Sequence, residues 1–185
     1  MANAMQRLDW MFLMELQRQC RFTLLAASEI HNAMHESDGT RKPTDMTQFW
    51  YNNIQGLLGA VGNVSKILWP PAKRCQPRGS RLRALLSVAD TSLLEPRTFR
   101  NHFEHFDERL EAWFDQVGRQ GMADSCIGPT GDFGGLNSSH YLRNYATDTQ
   151  TMWFRGDAYH LIPVLDEVQF LLKRVSQELD KPIPW

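Results

Sequence analysis

Apolar residues recur at three- and four-residue steps in four separate stretches of this sequence, a spacing that favours amphipathic helices. The first two stretches span 13–34 and 50–68, and Pro70 and Pro71 prevent the second from continuing. The third carries one apolar stripe, made of Phe99, Phe103, Phe106, Leu110, Trp113 and Val117. The fourth spans about 159–179. We therefore predict four main helices, the third of them unbroken along its stripe.

The segment between the third and fourth helices has a different composition. Six glycines lie within 118–140, which predicts a long loop. Two short runs rich in aromatic residues, 141–145 and 150–154, are separated by four turn-forming residues and predict a β-hairpin. The predicted fold is all-α, a four-helix-bundle-like domain with a small β-hairpin before the last helix. We expect one domain over 1–185, with the loop and hairpin as an insertion at about 118–156.

Composition limits the class of protein and its compartment. The 20 basic and 21 acidic side chains nearly cancel, which excludes a globally basic nucleic-acid coat protein but allows a local basic patch. Three widely spaced cysteines argue against a disulfide framework and favour reduced thiols. The longest uncharged run, 46–65, contains five amide side chains and is a poor membrane span. We predict a cytoplasmic protein that does not engage a membrane.

The third predicted helix carries three polar residues with chemical potential: Arg100, Asn101 and His105. At about 100° per residue, His105 lies about 240° and Asn101 about 200° from Phe99, away from the apolar stripe. His102 falls at the edge of that stripe, where a packed histidine is expected. An imidazole can move protons near neutral pH, a guanidinium can hold phosphate oxygens, and an amide can orient either group. These three residues are candidate catalytic groups for phosphodiester chemistry without a metal.

The pattern Arg100-Asn101-x-x-x-His105 resembles the Arg-x4–6-His signature of the HEPN superfamily, in which many members place a polar residue directly after the arginine. HEPN proteins are small all-α bundles, and many are metal-independent ribonucleases that act as toxins, antiphage effectors or RNA-processing factors. Their active sites usually form where two protomers bring two motifs together. The resemblance implies a homodimer in which Arg100 and His105 face a shared cleft. A toxin of this kind would also have an antitoxin protein as a partner.

The function that the resemblance implies is RNA cleavage with His105 as general base or acid, Arg100 offsetting charge on the phosphorane and Asn101 orienting either group. An alternative interpretation remains open. Arg100–Glu104 and His105–Arg109 are also ordinary neighbours at i,i+4 on an exposed helix face. Under that interpretation the chain is a non-catalytic helical dimerisation or interaction module.

A basic run precedes the third helix, with no acidic residue between Lys66 and Asp90. Its cationic side chains are Lys73, Arg74, Arg78, Arg81 and Arg83. These residues are candidate ligands for RNA phosphates and would supply a local field that the net charge conceals. The competing interpretation is a solvated loop, because surface loops carry lysine and arginine freely.

One pair of histidines has the spacing of a partial metal site. His31 and His35 lie one helical turn apart, but they provide only two ligands, and histidines near a helix C-terminus also interact with the helix dipole. No Glu-x-x-His motif suggests a carboxylate-bridged metal pair. We predict no metal site and no cofactor.

Overall fold

The computed structural model describes residues 2–35, 45–118, 121–129 and 138–182. Six α-helices lie within these ranges: α1 (Ala2–His35), α2 (Gly56–Leu68), α3 (Gln76–Leu86), α4 (Thr98–Glu104), α5 (Phe106–Val117) and α6 (Leu161–Leu179). A π-helical segment, Gln48–Gln55, leads directly into α2. Short 3₁₀ turns at Lys73–Cys75 and Ser138–His140 precede α3 and the second strand. None of the described helices is both long enough and apolar enough to cross a lipid bilayer.

Four short strands form one mixed sheet in the order β1-β2-β3-β4. The strands are β1 (Cys126–Gly128), β2 (Arg143–Ala146), β3 (Thr151–Phe154) and β4 (Asp157–His160). Strand β1 pairs with β2 in parallel, and the β2–β3 and β3–β4 pairs are antiparallel. The register pairs Cys126 with Asn144 and Tyr145 with Met152.

The chain is mostly helical, as predicted, but the all-α class is only partly correct. The predicted hairpin is present as β2 and β3, and it is the centre of a larger sheet. Strand β1 comes from the segment that was expected to be a loop, and β4 ends where the last helix begins, at Leu161. Part of the predicted loop, 119–120 and 130–137, lies outside the described residues. The four-helix-bundle packing and the single domain stay predictions.

Two compact units account for the chain. The first contains Met1–Ala26, Gly56–Arg97 and Pro163–Trp185, and the second contains Ala27–Gln55 and Thr98–Ile162. Helices α1 and α6 therefore contribute residues to both units. The basic run belongs to the first unit, whereas Arg100, Asn101 and His105 belong to the second.

The first unit is built on leucine- and valine-rich helix faces. Its most deeply buried side chains are Leu16, Cys20, Leu57, Val64, Leu68, Leu82, Leu86, Leu94, Val168, Leu171 and Val175. Polar side chains connect the helices at the border of this core: Gln17 donates to Ser176 Oγ at 3.1 Å, and Arg174 donates to the Leu86 carbonyl at 3.3 Å. The core follows the three- and four-residue spacing that predicted these helices.

The second unit packs aromatic side chains against the sheet. Phe49 of the π-helical segment is fully buried and meets the Tyr145 ring edge-on, with ring centroids 5.4 Å apart. The neighbouring Trp50 donates its indole N–H to the Ser125 carbonyl at 3.3 Å, just before β1. The same burial raises the pKa of Tyr145 to about 12. Aromatic packing thus connects the π-helical segment to both β1 and β2.

Gly79 allows α3 to pack closely against the end of α2. A Cβ atom at this position would lie 2.5 Å from the Leu68 carbonyl oxygen and 2.5 Å from the Pro70 ring, which is too close for any side chain. Since the carbonyl and the proline ring are both rigid, neither can move aside cheaply. Gly79 is itself buried, so its missing side chain leaves no exposed gap.

We expect Gly79→Ala to lower the free energy of unfolding by about 1–3 kcal/mol, because the added methyl group overpacks the α2–α3 contact. Chemical denaturation followed by circular dichroism measures the change. Gly59→Ala in α2 is the matched control: a Cβ atom there meets nothing within 4 Å. Alanine at Gly59 should stabilise the helix by up to about 1 kcal/mol. Equal effects of the two substitutions would contradict the close approach at Gly79.

Candidate functional site

His105 lies at a kink between α4 and α5. Its backbone angles, φ −110° and ψ 41°, are outside the α-helical region. Its N–H donates to the Asn101 carbonyl at 3.0 Å, and its own carbonyl accepts the Arg109 N–H at 3.1 Å. The prediction of an unbroken third helix is therefore wrong, although backbone hydrogen bonds flank the break on both sides.

The His105 and Asn101 side chains both lie in solvent. The His105 side chain is 55% exposed, in agreement with the helical wheel, and Asn101 is exposed as well. Among the described residues no side-chain hydrogen bond joins Arg100, Asn101 and His105 to one another. The structure therefore places the three residues on one and a half turns of helix without preassembling them into a hydrogen-bonded triad.

Arg100 is engaged by a neighbouring carboxylate. Its guanidinium forms an ion pair with Glu104 one turn later, and only 12% of the Arg100 side chain is exposed. This is the i,i+4 pair that the alternative interpretation of the motif predicts. The second pair of that interpretation, His105–Arg109, is not found: His105 Nδ1 instead lies 3.9 Å from Glu108 Oε1.

The surroundings of His105 are acidic. Asp107 and Glu108 occupy the first turn of α5, where carboxylates favour the positive end of the helix dipole. Together with Glu104, they place three exposed carboxylates within three residues of His105. A phosphate that approaches His105 therefore meets repulsion unless cations from elsewhere offset it.

His102 is a packed histidine, as the wheel predicted. It is buried between Phe99 and Phe154, with the Phe154 ring stacked at 4.8 Å and an interplanar angle of 6°. Its Nε2 lies 3.2 Å from Asp157 Oδ2, but neither of its buried ring nitrogens has a hydrogen bond of acceptable geometry among the described residues. Burial lowers the pKa of His102; Asp157 opposes this shift, and Arg109 and Arg155 add to it.

The basic run does not form one free patch. Arg81 donates two hydrogen bonds to Asp9, at 3.1 and 2.8 Å. Arg83 binds Asp90 and the Leu68 carbonyl, and Arg78 lies 4.1 Å over the Phe12 ring. Lys73 and Arg74, in contrast, are exposed, and their side chains have no ion pair or hydrogen bond within the described part of the chain.

The most deeply buried cation of the second unit, Arg143, was not identified from the sequence. Arg143 on β2 is 4% exposed and pairs with both carboxylate oxygens of Asp124, at 2.8 Å for Nε. Its guanidinium also lies 4.9 Å from the Phe106 ring centre and 5.7 Å from that of Tyr51. Because Asp124 and the aromatic rings surround this guanidinium, Arg143 supports the sheet and is not available to a ligand. The one feature of the sequence that could have identified Arg143 is the presence of a charged residue inside a predicted strand.

Metal ligands do not gather in the parts of the chain that the structure describes. The His31 and His35 rings lie 4.0 Å apart, but no described group of three or more His, Cys, Asp or Glu residues could hold a metal ion. Glu36 and Asp38, which follow this histidine pair, lie outside the described residues. Burial raises the pKa of the Cys20 thiol to about 12, so that thiol stays protonated.

Comparisons with protein-family models, curated proteins and solved structures find no match for this chain. The fold and the site define a mostly helical protein with a small mixed sheet and an exposed histidine at a helix kink. Membership of the HEPN superfamily stays a prediction from the Arg100–His105 motif.

Protonation of His102 should destabilise the fold. Because burial lowers its pKa below the ordinary value of 6.5, the unfolded chain binds this proton more tightly than the folded chain does. The stability that neutral His102 contributes is present above that ordinary value and is lost as the pH falls through the folded pKa. We expect the difference in unfolding free energy between the wild type and His102→Gln to shrink between about pH 7 and pH 5.

Urea denaturation at a series of pH values measures this difference, and His31→Gln, at an exposed histidine, is the matched control. The control should follow the wild type at every pH. Parallel pH curves for the wild type and His102→Gln would show that His102 does not carry the effect.

Proposed function

We propose that this chain is a HEPN-like, metal-independent endoribonuclease of the toxin, defence or RNA-processing type. The observation that carries the proposal is the exposed His105 side chain, one helical turn after the exposed Asn101. Arg100 provides the guanidinium of the motif directly before Asn101. Two copies of the motif, one from each subunit of a homodimer, would face each other across the active site.

In the proposed reaction, His105 removes the proton from a ribose 2′-hydroxyl, whose oxygen attacks the adjacent phosphorus. The bond from phosphorus to the 5′-oxygen then breaks, and the leaving oxygen takes a proton from a second acid, for which the partner copy of His105 is suited. Arg100 offsets charge on the phosphorane, and Asn101 orients the imidazole or a phosphate oxygen. The products are a 2′,3′-cyclic phosphate and a 5′-hydroxyl.

Substrate binding in this proposal requires Arg100 to exchange Glu104 for a phosphate. The guanidinium is held by a single carboxylate whose own side chain is 47% exposed, so a phosphate can compete for it from the solvent side. The unpaired Lys73 and Arg74 are the members of the basic run that remain free to bind RNA, whereas Arg78, Arg81 and Arg83 are largely used within the first unit.

The purified chain is expected to cleave single-stranded RNA in the presence of EDTA. His105→Ala should reduce the rate by about 100-fold or more, because general acid–base catalysis contributes about that much. Denaturing gels give the rate, and mass spectrometry of the product ends identifies the cyclic phosphate. His31→Ala, which removes an exposed histidine outside the motif, should cleave like the wild type.

Two further substitutions isolate Arg100 when the dissociation constant for RNA is measured beside the cleavage rate. Glu104→Gln releases the guanidinium and should increase RNA affinity more than Asp107→Asn, which removes the same charge from the same exposed surface without freeing an arginine. Cleavage that is equal in the wild type and His105→Ala, or absent from both, rejects the ribonuclease. Equal gains from Glu104→Gln and Asp107→Asn reject Arg100 as the phosphate ligand.

A second candidate function is the non-catalytic dimerisation module, and the surface of α5 favours it. Leu110, which the stripe placed in the core, is 38% exposed, and Phe114, four residues later, is 50% exposed. The two side chains share one helix face and leave apolar surface in water. A second copy of the chain that packs on this face would cover them.

Light scattering coupled to size exclusion tests the module. The wild type should be a dimer, and the double substitution Leu110→Ser with Phe114→Ser should make it a monomer, since the covered apolar area is lost. Leu85→Ser, at a residue of α3 with 41% exposure, is the control and should remain dimeric. A monomeric wild type rejects both the module and the shared cleft, and a dimeric double variant moves the interface away from α5.

A further inference from the structure

A cleft of about 370 Å³ lies in the first unit, beside the start of the basic run. Its lining residues are Trp69, Pro70, Pro71, Gln76, Ser80, Arg83, Glu95 and Arg97. The volume falls within the range of sites that hold small organic ligands, about 300–1,000 Å³. The lining combines one large aromatic ring with two guanidinium groups, one carboxylate, one amide and one hydroxyl.

Packing of the surrounding chain fixes the walls of this cleft. The Trp69 backbone N–H donates to the Ser65 carbonyl at 2.7 Å, which holds Trp69 at the end of α2. The opposite wall is fixed through Glu95, whose backbone carbonyl accepts the buried Ser65 hydroxyl at 2.6 Å. Gly79 brings α3 against Leu68 and Pro70, so the proline turn has no room to move inwards. The cleft is therefore a property of the packed unit.

The two arginines of the cleft differ in whether other residues of the chain already bind the guanidinium group. Arg83 is positioned by hydrogen bonds to the Leu68 carbonyl and Asp90, and its guanidinium lies 5.3 Å from the centre of the Trp69 ring. Arg97 is half-buried and has no hydrogen bond or ion pair with any other residue in the described ranges. A partly desolvated guanidinium without a carboxylate partner is suited to an oxyanion, and phosphate matches its planar fork.

The aromatic ring distinguishes this cleft from a simple anion site. An indole offers a face on which a planar base can stack, a contact worth about 1–3 kcal/mol per base. The Glu95 carboxylate disfavours a purely anionic ligand and accepts hydrogen bonds, for which ribose hydroxyls and exocyclic amines are donors. A ligand that satisfies the whole lining is therefore a phosphate joined to a planar, hydroxyl-bearing group.

We propose that this cleft binds a nucleoside phosphate, with the base against Trp69, the phosphate on Arg97 and the ribose towards Glu95. The ligand comes either from a free mononucleotide or from one residue of a single-stranded RNA. This site does not require cleavage by His105, which belongs to the second unit.

Isothermal titration of the full chain with adenosine 5′-monophosphate tests the proposal. The wild type should bind the nucleotide at least about tenfold more tightly than it binds adenosine or inorganic phosphate, since each lacks half of the contacts. Arg97→Gln and Trp69→Leu should each weaken binding about tenfold or more. Arg18→Gln, which removes one exposed arginine of the same unit outside the cleft, should leave binding unchanged.

A parallel titration of His105→Ala with a short unmodified RNA, whose 2′-hydroxyls are intact and which this variant should not cleave, separates the two sources of ligand. Binding of the oligonucleotide alone assigns the site to an RNA strand. Binding of the mononucleotide assigns it to free nucleotides. Either result supports the proposal when Arg97→Gln weakens that binding. If neither probe binds, if Arg97→Gln behaves like Arg18→Gln, or if inorganic phosphate binds as tightly as the nucleotide, the proposal is wrong. Circular dichroism of each variant identifies loss of fold, and neither probe depends on the ribonuclease.

Discussion

A guanidinium that is almost fully buried has to be paired, and in this chain that requirement is clearest for the arginine that supports the sheet. Arg143 is the most demanding case, because it is 4% exposed. Its partner, Asp124, lies two residues before Cys126, and Arg143 itself directly precedes Asn144, the residue that Cys126 faces across the β1–β2 ladder. The ion pair therefore lies beside the first residues of the β1–β2 pair, the one parallel pair among the described strands. It holds the residues just before β1 next to β2.

The same requirement explains why a run of basic residues in the sequence is not a basic patch in the structure. The Arg81 guanidinium pairs with Asp9 of α1, and the Arg83 guanidinium binds Asp90 and the carbonyl of Leu68 at the end of α2, so both groups are bound within the fold before they meet any ligand. Arg97 lies outside that run, yet it is the arginine of the cleft that has no partner among the described residues. Whether an arginine can bind a ligand therefore depends on its partners in the folded chain. The number of cationic residues in a stretch of sequence does not reveal those partners.

Patterns in the sequence correctly predicted those elements that form through contacts between residues close together in the chain. The apolar spacing located α1, α2 and α6, and the turn residues located the β2–β3 hairpin, because helices and hairpins form between neighbours in sequence. Strand β1 is only three residues long, and each of its residues pairs with one that lies 18 positions later, so its own sequence carries little signal. The kink at His105 and the exposure of Leu110 escaped prediction for a related reason: both interrupt a stripe whose spacing is regular. The helical wheel still placed His105 and His102 on the correct sides, since the chain is helical from Thr98 up to the kink at His105.

The charges around His105 decide how a catalytic helix of this kind could work. From Arg100 to Arg109 the chain offers two guanidinium groups against three carboxylates, those of Glu104, Asp107 and Glu108. An exposed i,i+4 ion pair contributes about 0.3–0.5 kcal/mol to stability. The ion pair of Arg100 with Glu104 is stronger than that, because the Arg100 side chain is mostly covered. A hydrogen bond to a charged group contributes about 1.5–3 kcal/mol, so a phosphate that made two such bonds could displace Glu104. The bound phosphate would still be repelled by Asp107 and Glu108. A second copy of the motif would add positive and negative charges in the same ratio, so it would not remove this repulsion. Affinity for RNA would therefore have to come from cations outside this helix, and the motif itself would contribute chemistry and little binding.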